Sequence, residues 1–508
     1  MSTRVYSAAI VGLDSQVVEV EADISGGLRK VFIVGLPDEA VTEAKERVKS
    51  AIKNSGVEFP RSVVTVNLAP ADLKKEGPAY DLPIALAVLL AKHRIKEDKI
   101  KNDQLFVGEL ALDGQLRRVN GVLSIAMMAK ERGFKSLYLP SMNAGEASLI
   151  DCIDIFPVDN LKQLIKHLAG RFKIKPYERR PVNFFQKDDS SYDMAYVKGQ
   201  EHVKRALEIA AAGGHNVAMT GPPGAGKTLL ARTMPTILPE LSLEESLDVT
   251  KIYSVVGLLP SDKPLVSARP FRSPHHTSSA VALVGGGSWP KPGEISLAHR
   301  GVLFLDEFPE FQRNVLESLR QPLEDGLITV SRASGTLQFP AKFILIAASN
   351  PCPCGYLTDP VKNCTCTPSQ IIRYKKRISG PLLDRIDLHI EVPRVKYDKL
   401  VSEKVAESSL AIRKRVNQAR QIQKQRLAKY NIFTNAEINM ALIKKFCQID
   451  EASSVLLKNA VDQLHLSARS YHRILKIART IADLAGQEKI DSSYIAEALQ
   501  YRSKLGDN

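Results

Sequence analysis

The sequence contains one tryptophan, only six cysteines and no long apolar run. Its longest apolar stretch, residues 82–91, includes Pro83 and reaches about half of the roughly 20 residues that a membrane-spanning helix needs. The N-terminus has no charged segment followed by an apolar one, as a secretory signal would. Six cysteines are too few for a disulfide scaffold in a chain of 508 residues. We therefore expect a cytoplasmic protein with no membrane partner.

The composition is that of a globular protein, with 44% apolar and 25% charged residues, and the length predicts two or three domains. The formal net charge is +14, and residues 351–508 carry 27 basic against 16 acidic side chains. A localised positive charge favours a polyanionic partner such as nucleic acid. A solvated basic surface is the alternative explanation.

The chain divides into four segments by pattern. Residues 1–172 mix β-branched runs with helical stretches, which predicts an α/β or α+β domain. Residues 173–191 contain prolines and charges without apolar periodicity and are interpreted as a linker. Residues 192–393 alternate helices with short, fully apolar strands, which is typical of a parallel sheet. Residues 394–508 are almost purely helical in character and predict a C-terminal helical lid.

A glycine-rich turn lies between a predicted strand, residues 215–220, and a predicted helix, residues 229–234. In this context the turn has the P-loop pattern, in which glycines let successive backbone N–H groups point at phosphates where a helix begins. We expect ATP to bind here, with Lys227 on the β and γ phosphates and Thr228 ligating Mg²⁺. The residues of the turn are Gly221, Pro222, Pro223, Gly224, Ala225, Gly226, Lys227 and Thr228.

Two further strands end in polar side chains that suit phosphate chemistry. Asp306 and Glu307 follow the apolar run 302–305, so Asp306 is predicted to hold the Mg²⁺ shell and Glu307 to orient the attacking water. Asn350 follows shortly after the apolar run 343–348 and is a candidate to position water and sense the γ phosphate. A solvated acidic turn and an ordinary turn asparagine are the alternatives.

Hydrolysis in such sites commonly needs a positive charge at the γ phosphate, often from a neighbouring subunit. Arg385 follows an apolar turn, and Arg469 begins a predicted lid helix, so both are candidates. Either arginine, taken alone, could also be an ordinary surface residue in an ion pair.

Several motifs, taken in order, resemble the ComM/YifB family of magnesium-chelatase-like AAA+ ATPases over nearly the whole chain. They are Val-Lys-Gly-Gln at 197–200, the P-loop, Ser-Pro-His-His-Thr at 273–277, residues 301–307, Ser-Asn-Pro-Cys-Pro-Cys-Gly at 349–355 and Leu-Leu-Asp-Arg-Ile-Asp at 382–387. The resemblance implies an AAA+ α/β core, Arg385 as arginine finger and Arg469 as lid sensor. It also implies a homohexameric DNA motor that promotes branch migration during natural transformation.

The first domain resembles the α+β fold of Lon proteases that this family carries. Ala79 stands where Lon-like proteases have a nucleophilic serine, and Leu123 stands where they have the partner lysine. Neither side chain can attack a carbonyl or accept a proton, so we expect no peptidase activity. A scaffolding or DNA-guiding role remains for this domain.

Two insertions, residues 253–299 and 326–340, resemble the helix-2 insert and presensor hairpin of the clade shared with magnesium chelatase and MCM helicases. The second alternates in the manner of a β-hairpin. In a ring such loops would face the pore, where Lys291 and Arg332 could grip phosphates and Trp289 could stack on a base. Solvated loop tips are the alternative. The basic segment 411–430 could likewise contact DNA or be a solvated helix face.

Four of the six cysteines lie together in the loop 352–366. Cys352, Cys354, Cys364 and Cys366 could supply four thiolates to one structural Zn²⁺, or they could be free or redox-active thiols. The adjacent His275 and His276 are interpreted as loop residues whose side chains project in different directions.

Three functions remain in competition. The leading one is an ATP-driven DNA helicase or translocase. The second is a metal-insertion ATPase like the magnesium-chelatase motor subunit, which would ignore DNA. The third is a Lon-type protease, which Ala79 and Leu123 oppose, or a protein remodeller without cleavage.

Overall fold

The computed structural model describes residues 3–179, 192–287, 290–332, 335–395, 406–430, 432–463 and 466–502. These residues form two compact units. The first contains the described part of Met1–Phe185 together with Leu243–Ser267, and the second contains the described part of Gln186–Ser242 and Ala268–Asn508. The strands and helices are numbered in chain order below.

The first unit is built on a mixed seven-stranded sheet with the order β3-β4-β2-β1-β5-β8-β9. Along β1, Val5 and Ala9 belong to one apolar cluster and Ala8 to another, as expected for a strand whose successive side chains face opposite sides. Helices α1 and α2 supply the first cluster and α3 the second, so both faces of the sheet are covered. The elements are β1 Thr3–Val11, β2 Asp14–Ser25, β3 Lys30–Val34, α1 Glu39–Asn54, β4 Val63–Ala69, α2 Asp81–Ala91, β5 Gln104–Phe106, β6 Glu109–Leu110, β7 Leu116–Arg117, α3 Val122–Glu131, β8 Ser136–Pro140, α4 Ala144–Ala147, β9 Asp154–Val158 and α5 Leu161–Leu168.

The first part of the predicted linker lies against this unit. The backbone N–H of Tyr177 donates to the Ile155 carbonyl at 2.7 Å, and Arg179 pairs with Asp151 at 2.6 Å. The rest of the linker, residues 180–191, falls outside the described residues.

The second unit contains a five-stranded parallel sheet with the order β11-β14-β17-β10-β18. All four residues of β14 are buried, and five of the six in β17, which confirms the parallel sheet that the apolar runs predict. The elements from residue 201 to 391 are α6 Glu201–Gly213, β10 Val217–Thr220, α7 Lys227–Ile237, α8 Leu243–Val256, β11 Phe271–Arg272, α9 Ala280–Val284, β12 Gly285–Gly286, β13 Lys291–Pro292, α10 Glu294–Leu297, β14 Val302–Leu305, α11 Arg313–Ser318, α12 Arg320–Asp325, β15 Leu327–Arg332, β16 Gly335–Pro340, β17 Ile344–Ser349, α13 Pro368–Lys375, α14 Gly380–Leu383 and β18 Leu388–Glu391.

The C-terminal region is helical, as predicted. Its helices are α15 Ser409–Leu427, α16 Met440–Phe446, α17 Glu451–Gln463, α18 Ala468–Leu484 and α19 Ser492–Gln500. Helix α16 begins at Met440, where the Asn439 side chain caps its first turn. Before it, Asn435–Glu437 form one turn of 3-10 helix, and the buried Asn435 side chain donates to Thr480 and Asp483 of α18 at 3.1 and 2.8 Å.

The basic segment on α15 turns much of its charge inward. Arg413 donates to the Thr236 carbonyl at 2.8 Å, and Arg420 donates to the Ala211 carbonyl at 2.8 Å. Arg415 pairs with Glu208, and Arg426 pairs with Asp483. These arginines therefore attach α15 to its own unit. Among the basic residues of this helix, Lys414 and Lys424 are exposed and the arginines are partly buried.

Helix α8 lies in sequence inside the expected ATPase core, yet it packs in the first unit. Its Ser254 hydroxyl donates to the carboxylate of Glu146, which also accepts the backbone N–H of Leu123 at 2.9 Å. The Ser254 carbonyl accepts the N–H of Gly121 at 3.0 Å. The sequence boundaries differ here because apolar periodicity marks a buried face of a helix without naming the surface that covers it.

No helix among the described residues is long and apolar enough to cross a membrane.

Substituting Glu146→Ala should destabilise the first unit. The change leaves the buried Leu123 N–H and Ser254 hydroxyl without their acceptor, which costs about 2–4 kcal/mol of unfolding free energy. Urea unfolding of the full chain measures the change in unfolding free energy. Limited proteolysis of the same protein measures how readily the chain is cleaved within residues 243–267. The exposed Glu131→Ala on α3 is the matched control, and an equal response of the two variants would contradict the assignment.

Candidate nucleotide-binding site

The P-loop connects the end of β10 to the start of α7, as the sequence predicts. Gly224 and Gly226 adopt φ values of 76° and 86°, a region that favours glycine. Gly221 is required for a different reason, because a Cβ there would lie 2.2 Å from the carbonyl oxygen of Val392. The loop therefore exposes its backbone N–H groups at the helix N-terminus, where anions bind.

Lys227 is the first residue of α7 and its side chain is buried. Its ammonium donates to the carbonyls of Gly221 and Pro222 at 2.6 and 3.1 Å, and to the Asn350 side-chain oxygen at 3.1 Å. Burial lowers the pKa of Lys227, and nearby Asp306 acts in the opposite direction. The structure thus brings Lys227 and Asn350 together at one edge of the sheet.

Thr228 and Asp306 meet beside this lysine. The Thr228 hydroxyl donates to Asp306 Oδ2 at 2.9 Å, and the other carboxylate oxygen accepts the backbone N–H of Glu307 at 2.9 Å. A hydroxyl and a carboxylate from different elements, at hydrogen-bonding distance, form a donor set that suits Mg²⁺. The predicted pair for the metal fits that ion.

Glu307 has an exposed side chain and a left-handed backbone with φ 51°. Its carboxylate lies 3.0 Å from His276 Nδ1, a contact that the sequence analysis missed. The rings of His275 and His276 lie 4.2 Å apart and are inclined by 33°, so the expectation that they project in different directions is wrong. The contact depends on the pairing of β11 with β14, which the sequence did not show, so membership of His276 in the motif 273–277 was its only indication.

Gln200 is a second residue whose role the sequence did not show. Its amide donates to the carbonyls of Ala225 in the P-loop and Pro393 after β18, at 2.9 and 2.8 Å. Gln200 therefore ties the phosphate-binding turn to the segment after β18, the strand that pairs with β10. Its place in the motif 197–200 was the only indication.

Arg385 and Arg469 come together at a different carboxylate. Arg385 Nε donates to Glu324 of α12 at 3.1 Å, and Arg469 donates to the same group at 3.2 Å. Arg385 also donates to the Pro381 carbonyl at 2.7 Å. The hydrogen bond from Arg385 lowers the pKa of Glu324. Within the described residues these contacts hold both arginines on Glu324 rather than on the P-loop of the same chain.

Ala79 and Leu123, which stand where Lon-like proteases have their serine and lysine, lie in the first unit. Ala79 occupies a single helical turn, and its carbonyl accepts the Gly108 N–H at 2.9 Å. Leu123 is fully buried in the first turn of α3. The nearby Asp81 is bound by Arg47 at 2.8 Å, and burial raises the pKa of Asp81 to about 6.

The predicted hairpin is confirmed, with Leu327–Arg332 paired antiparallel to Gly335–Pro340. Arg332 is the last residue of its first strand. Lys291 is exposed and begins the short strand β13, while Trp289 lies outside the described residues.

The sequence of the chain matches the models of three protein families. Residues 193–400 match "Magnesium chelatase, subunit ChlI", residues 20–143 match "Subunit ChlI of Mg-chelatase", and residues 406–502 match "Magnesium chelatase, subunit ChlI C-terminal". The chain is 44% identical to Competence protein ComM of Haemophilus influenzae over 508 residues, covering 99% of this chain and 97% of that protein. The chain belongs to the ComM/YifB family.

The chain is more similar to a YifB protein than to a magnesium-chelatase subunit. Uncharacterized protein YifB of Escherichia coli is 43% identical over 501 residues, covering 98% of this chain and 96% of YifB. The magnesium-chelatase 38 kDa subunit of Rhodobacter capsulatus is 26% identical over 178 residues, which cover only 32% of this chain. The chain is therefore an ATPase of the ComM/YifB type, with a magnesium-chelatase-like core.

Substituting Gln200→Ala should weaken nucleotide binding in this ComM/YifB ATPase. Two carbonyls lose their donor and the P-loop loses its attachment to β18, so we expect the ATP dissociation constant to rise about tenfold, equivalent to roughly 1.4 kcal/mol. Titration with a fluorescent ATP analogue measures it. Gln312→Ala, an exposed residue before α11, is the control, and unchanged affinity in Gln200→Ala would show that the attachment is irrelevant.

Proposed function

We propose that this protein is an ATP-driven homohexameric motor that moves on DNA and promotes branch migration in recombination during natural transformation. The contact set of Lys227, Thr228, Asp306 and Asn350 carries the ATPase half of this proposal. The DNA half is supported by similarity over 99% of the chain to a protein named for competence, and by the net charge of +14.

The cofactor we assign to the P-loop site is ATP with Mg²⁺. Bound Mg²⁺ would neutralise charge on the phosphates. Thr228 and Asp306 would hold the metal, and Lys227 would exchange its loop carbonyls for phosphate oxygens. Glu307 would orient water once it leaves His276, and Asn350 would position that water against the γ phosphate.

Arg385 serves the site of a neighbouring subunit in this proposal, with Arg469 as the lid sensor. Glu324 accepts hydrogen bonds from both guanidinium groups, at 3.1 and 3.2 Å, so the two cations lie close to one another. A cation delivered by a second subunit makes hydrolysis depend on ring assembly.

For DNA we propose phosphate contacts from Lys291 and Arg332 and base stacking by Trp289. Lys291 is exposed, and Arg332 ends a strand of the β15–β16 hairpin. The inward contacts of Arg413 and Arg420 on α15 make that helix a weaker candidate than the hairpin.

The first unit, in our proposal, guides DNA or supports the ring and cleaves no peptides. A methyl group at Ala79 and the buried side chain of Leu123 supply neither a nucleophile nor a base.

A second function is a magnesium-chelatase-like metal-insertion or protein-remodelling ATPase that does not act on DNA. The partial match to the Rhodobacter capsulatus magnesium-chelatase subunit favours it. That match covers 32% of the chain, whereas the match to the competence protein covers 99%. We therefore rank the metal-insertion or protein-remodelling function second.

We expect single-stranded or branched DNA to stimulate ATP hydrolysis by the purified protein about threefold or more. Because neutralised phosphates release counterions, the logarithm of the DNA affinity should fall linearly with the logarithm of salt concentration. A coupled ATPase assay at several salt concentrations tests both. Glu307→Gln should bind DNA and ATP but lose hydrolysis, and equal rates with and without DNA would favour the second function.

Mixing two inactive variants tests whether Arg385 acts on a neighbour. Lys227→Ala and Arg385→Ala should each lower hydrolysis at least about tenfold. In mixed rings, an intact P-loop of one variant meets an intact arginine of the other, so part of the activity should return. Arg373→Ala, an exposed arginine on α13, should remain active alone. Failure of the mixture to recover, with co-assembly shown by light scattering, would place Arg385 outside the neighbour's site.

A further inference from the structure

Four cysteine side chains converge in the segment between β17 and α13. The sulfur atoms of Cys352, Cys354, Cys364 and Cys366 all lie within 4.8 Å of one another. Cys352 is buried and the other three are partly exposed. The two Cys-x-Cys pairs, separated by a loop in the sequence, therefore meet at one point.

The spacing of the sulfur atoms identifies the kind of site. Cys352 Sγ lies 3.4 Å from Cys354 Sγ and 3.6 Å from Cys364 Sγ, and the last two are 3.5 Å apart. A disulfide would require about 2.05 Å. Four thiolates around one tetrahedral Zn²⁺, with Zn–S bonds of about 2.3 Å, lie about 3.8 Å apart. The observed distances are close to the second value.

Backbone groups support charge on this cluster. The N–H of Cys354 donates to Cys366 Sγ at 3.4 Å, and the N–H of Cys366 donates to Cys364 Sγ at 3.4 Å. Outer hydrogen bonds of this kind orient sulfur ligands and stabilise their negative charge in metal sites. Zn²⁺ suits a set of four sulfur ligands, and it undergoes no redox change.

The cluster is joined directly to the ATPase machinery. Asn350, two residues before Cys352, accepts the Lys227 ammonium at 3.1 Å. Gly355 follows Cys354 with φ 84°, and a Cβ there would lie 2.7 Å from the ring of Pro223 and 3.8 Å from Asn350 Cγ. The cysteine loop thus packs on the P-loop and on the residue that contacts its lysine.

We propose that these four cysteines bind one Zn²⁺ and that the zinc-closed loop holds Asn350 in place against the P-loop lysine. The cysteines are positioning residues, since they act through Asn350. The second half of the proposal rests on the ATPase role of Asn350, whereas the zinc site stands independently of it. Neither half depends on DNA.

Metal analysis of the full-length protein tests the site. Protein purified without chelator or immobilised-metal resin should contain about one zinc per chain by mass spectrometry. Co²⁺ in its place should give the visible absorption of tetrahedral thiolate coordination. The double variant Cys354→Ser with Cys366→Ser should hold none, and Cys152→Ser, which changes an exposed cysteine of the first unit, should retain it.

Three results would overturn the zinc site. The first is wild-type protein without zinc after growth in zinc-supplemented medium, and the second is iron in its place. The third is full zinc content in the double variant. All three results are metal contents, so none of them depends on ATPase activity. The first two are measured on the wild-type protein, so they do not depend on the folding of a variant.

Zinc removal and reloading test the positioning role. Stripped wild-type protein, assayed with ATP and Mg²⁺ in the absence of DNA, should lose about tenfold in kcat while KM for ATP changes less than about twofold, because Asn350 acts on the reacting water rather than on nucleotide affinity. Added Zn²⁺ should restore kcat. An unchanged kcat in stripped protein of verified zinc content would refute the positioning role and leave the DNA proposal untouched.

Discussion

A buried ammonium group needs oxygen atoms around it, and Lys227 satisfies this need with groups from separate parts of the sheet. The carbonyls of Gly221 and Pro222 follow β10, and the Asn350 amide follows β17. In a parallel sheet the carboxyl ends of these strands share one edge, so the topology itself assembles the acceptors. The geometry of β10 and β17 therefore decides whether the cation, the metal-binding pair and the water-positioning groups lie within reach of one another.

The amino-terminal ends of the same strands, opposite the nucleotide site, are joined by hydrogen bonds of Asn216. The side chain of Asn216, just before β10, accepts the Leu345 N–H of β17 at 2.8 Å. Its backbone N–H donates to Asp387 at 3.1 Å, shortly before β18. The cation of Arg473 lowers the pKa of Asp387 against the effect of its burial. These hydrogen bonds fix the register of β10, β17 and β18 at their amino-terminal ends. Arg385 lies just before β18, close to this point.

The sheet, the P-loop and the hairpin could be predicted from sequence because their signals are local. The run 302–305 coincides with β14, and Gly224 and Gly226 stand where the backbone needs positive φ. The contacts of His276 with Glu307, and of Glu324 with Arg385, could not be predicted in this way. Each joins residues about 30 or more positions apart, and no periodicity within one segment specifies its partner.

The count of charged residues predicted exposed surfaces poorly, for a physical reason. The count of basic residues on α15 suggested an exposed surface, yet Arg413 and Arg420 end on backbone carbonyls within their own unit. A guanidinium on a long stem can reach inward past a helix surface, so composition alone does not reveal its direction.

Helix α8 makes the two units interleaved along the chain. The polypeptide leaves the second unit after Ser242, contributes Leu243–Ser267 to the first, and returns at Ala268. No single cut can separate them intact. A fragment ending before residue 192 lacks α8, whose Val249, Ile252 and Val255 are buried in the first unit. A fragment starting at residue 192 contains α8 but leaves the apolar face formed by these residues uncovered. Exchange of the first unit between relatives would require transplanting two segments of chain at once.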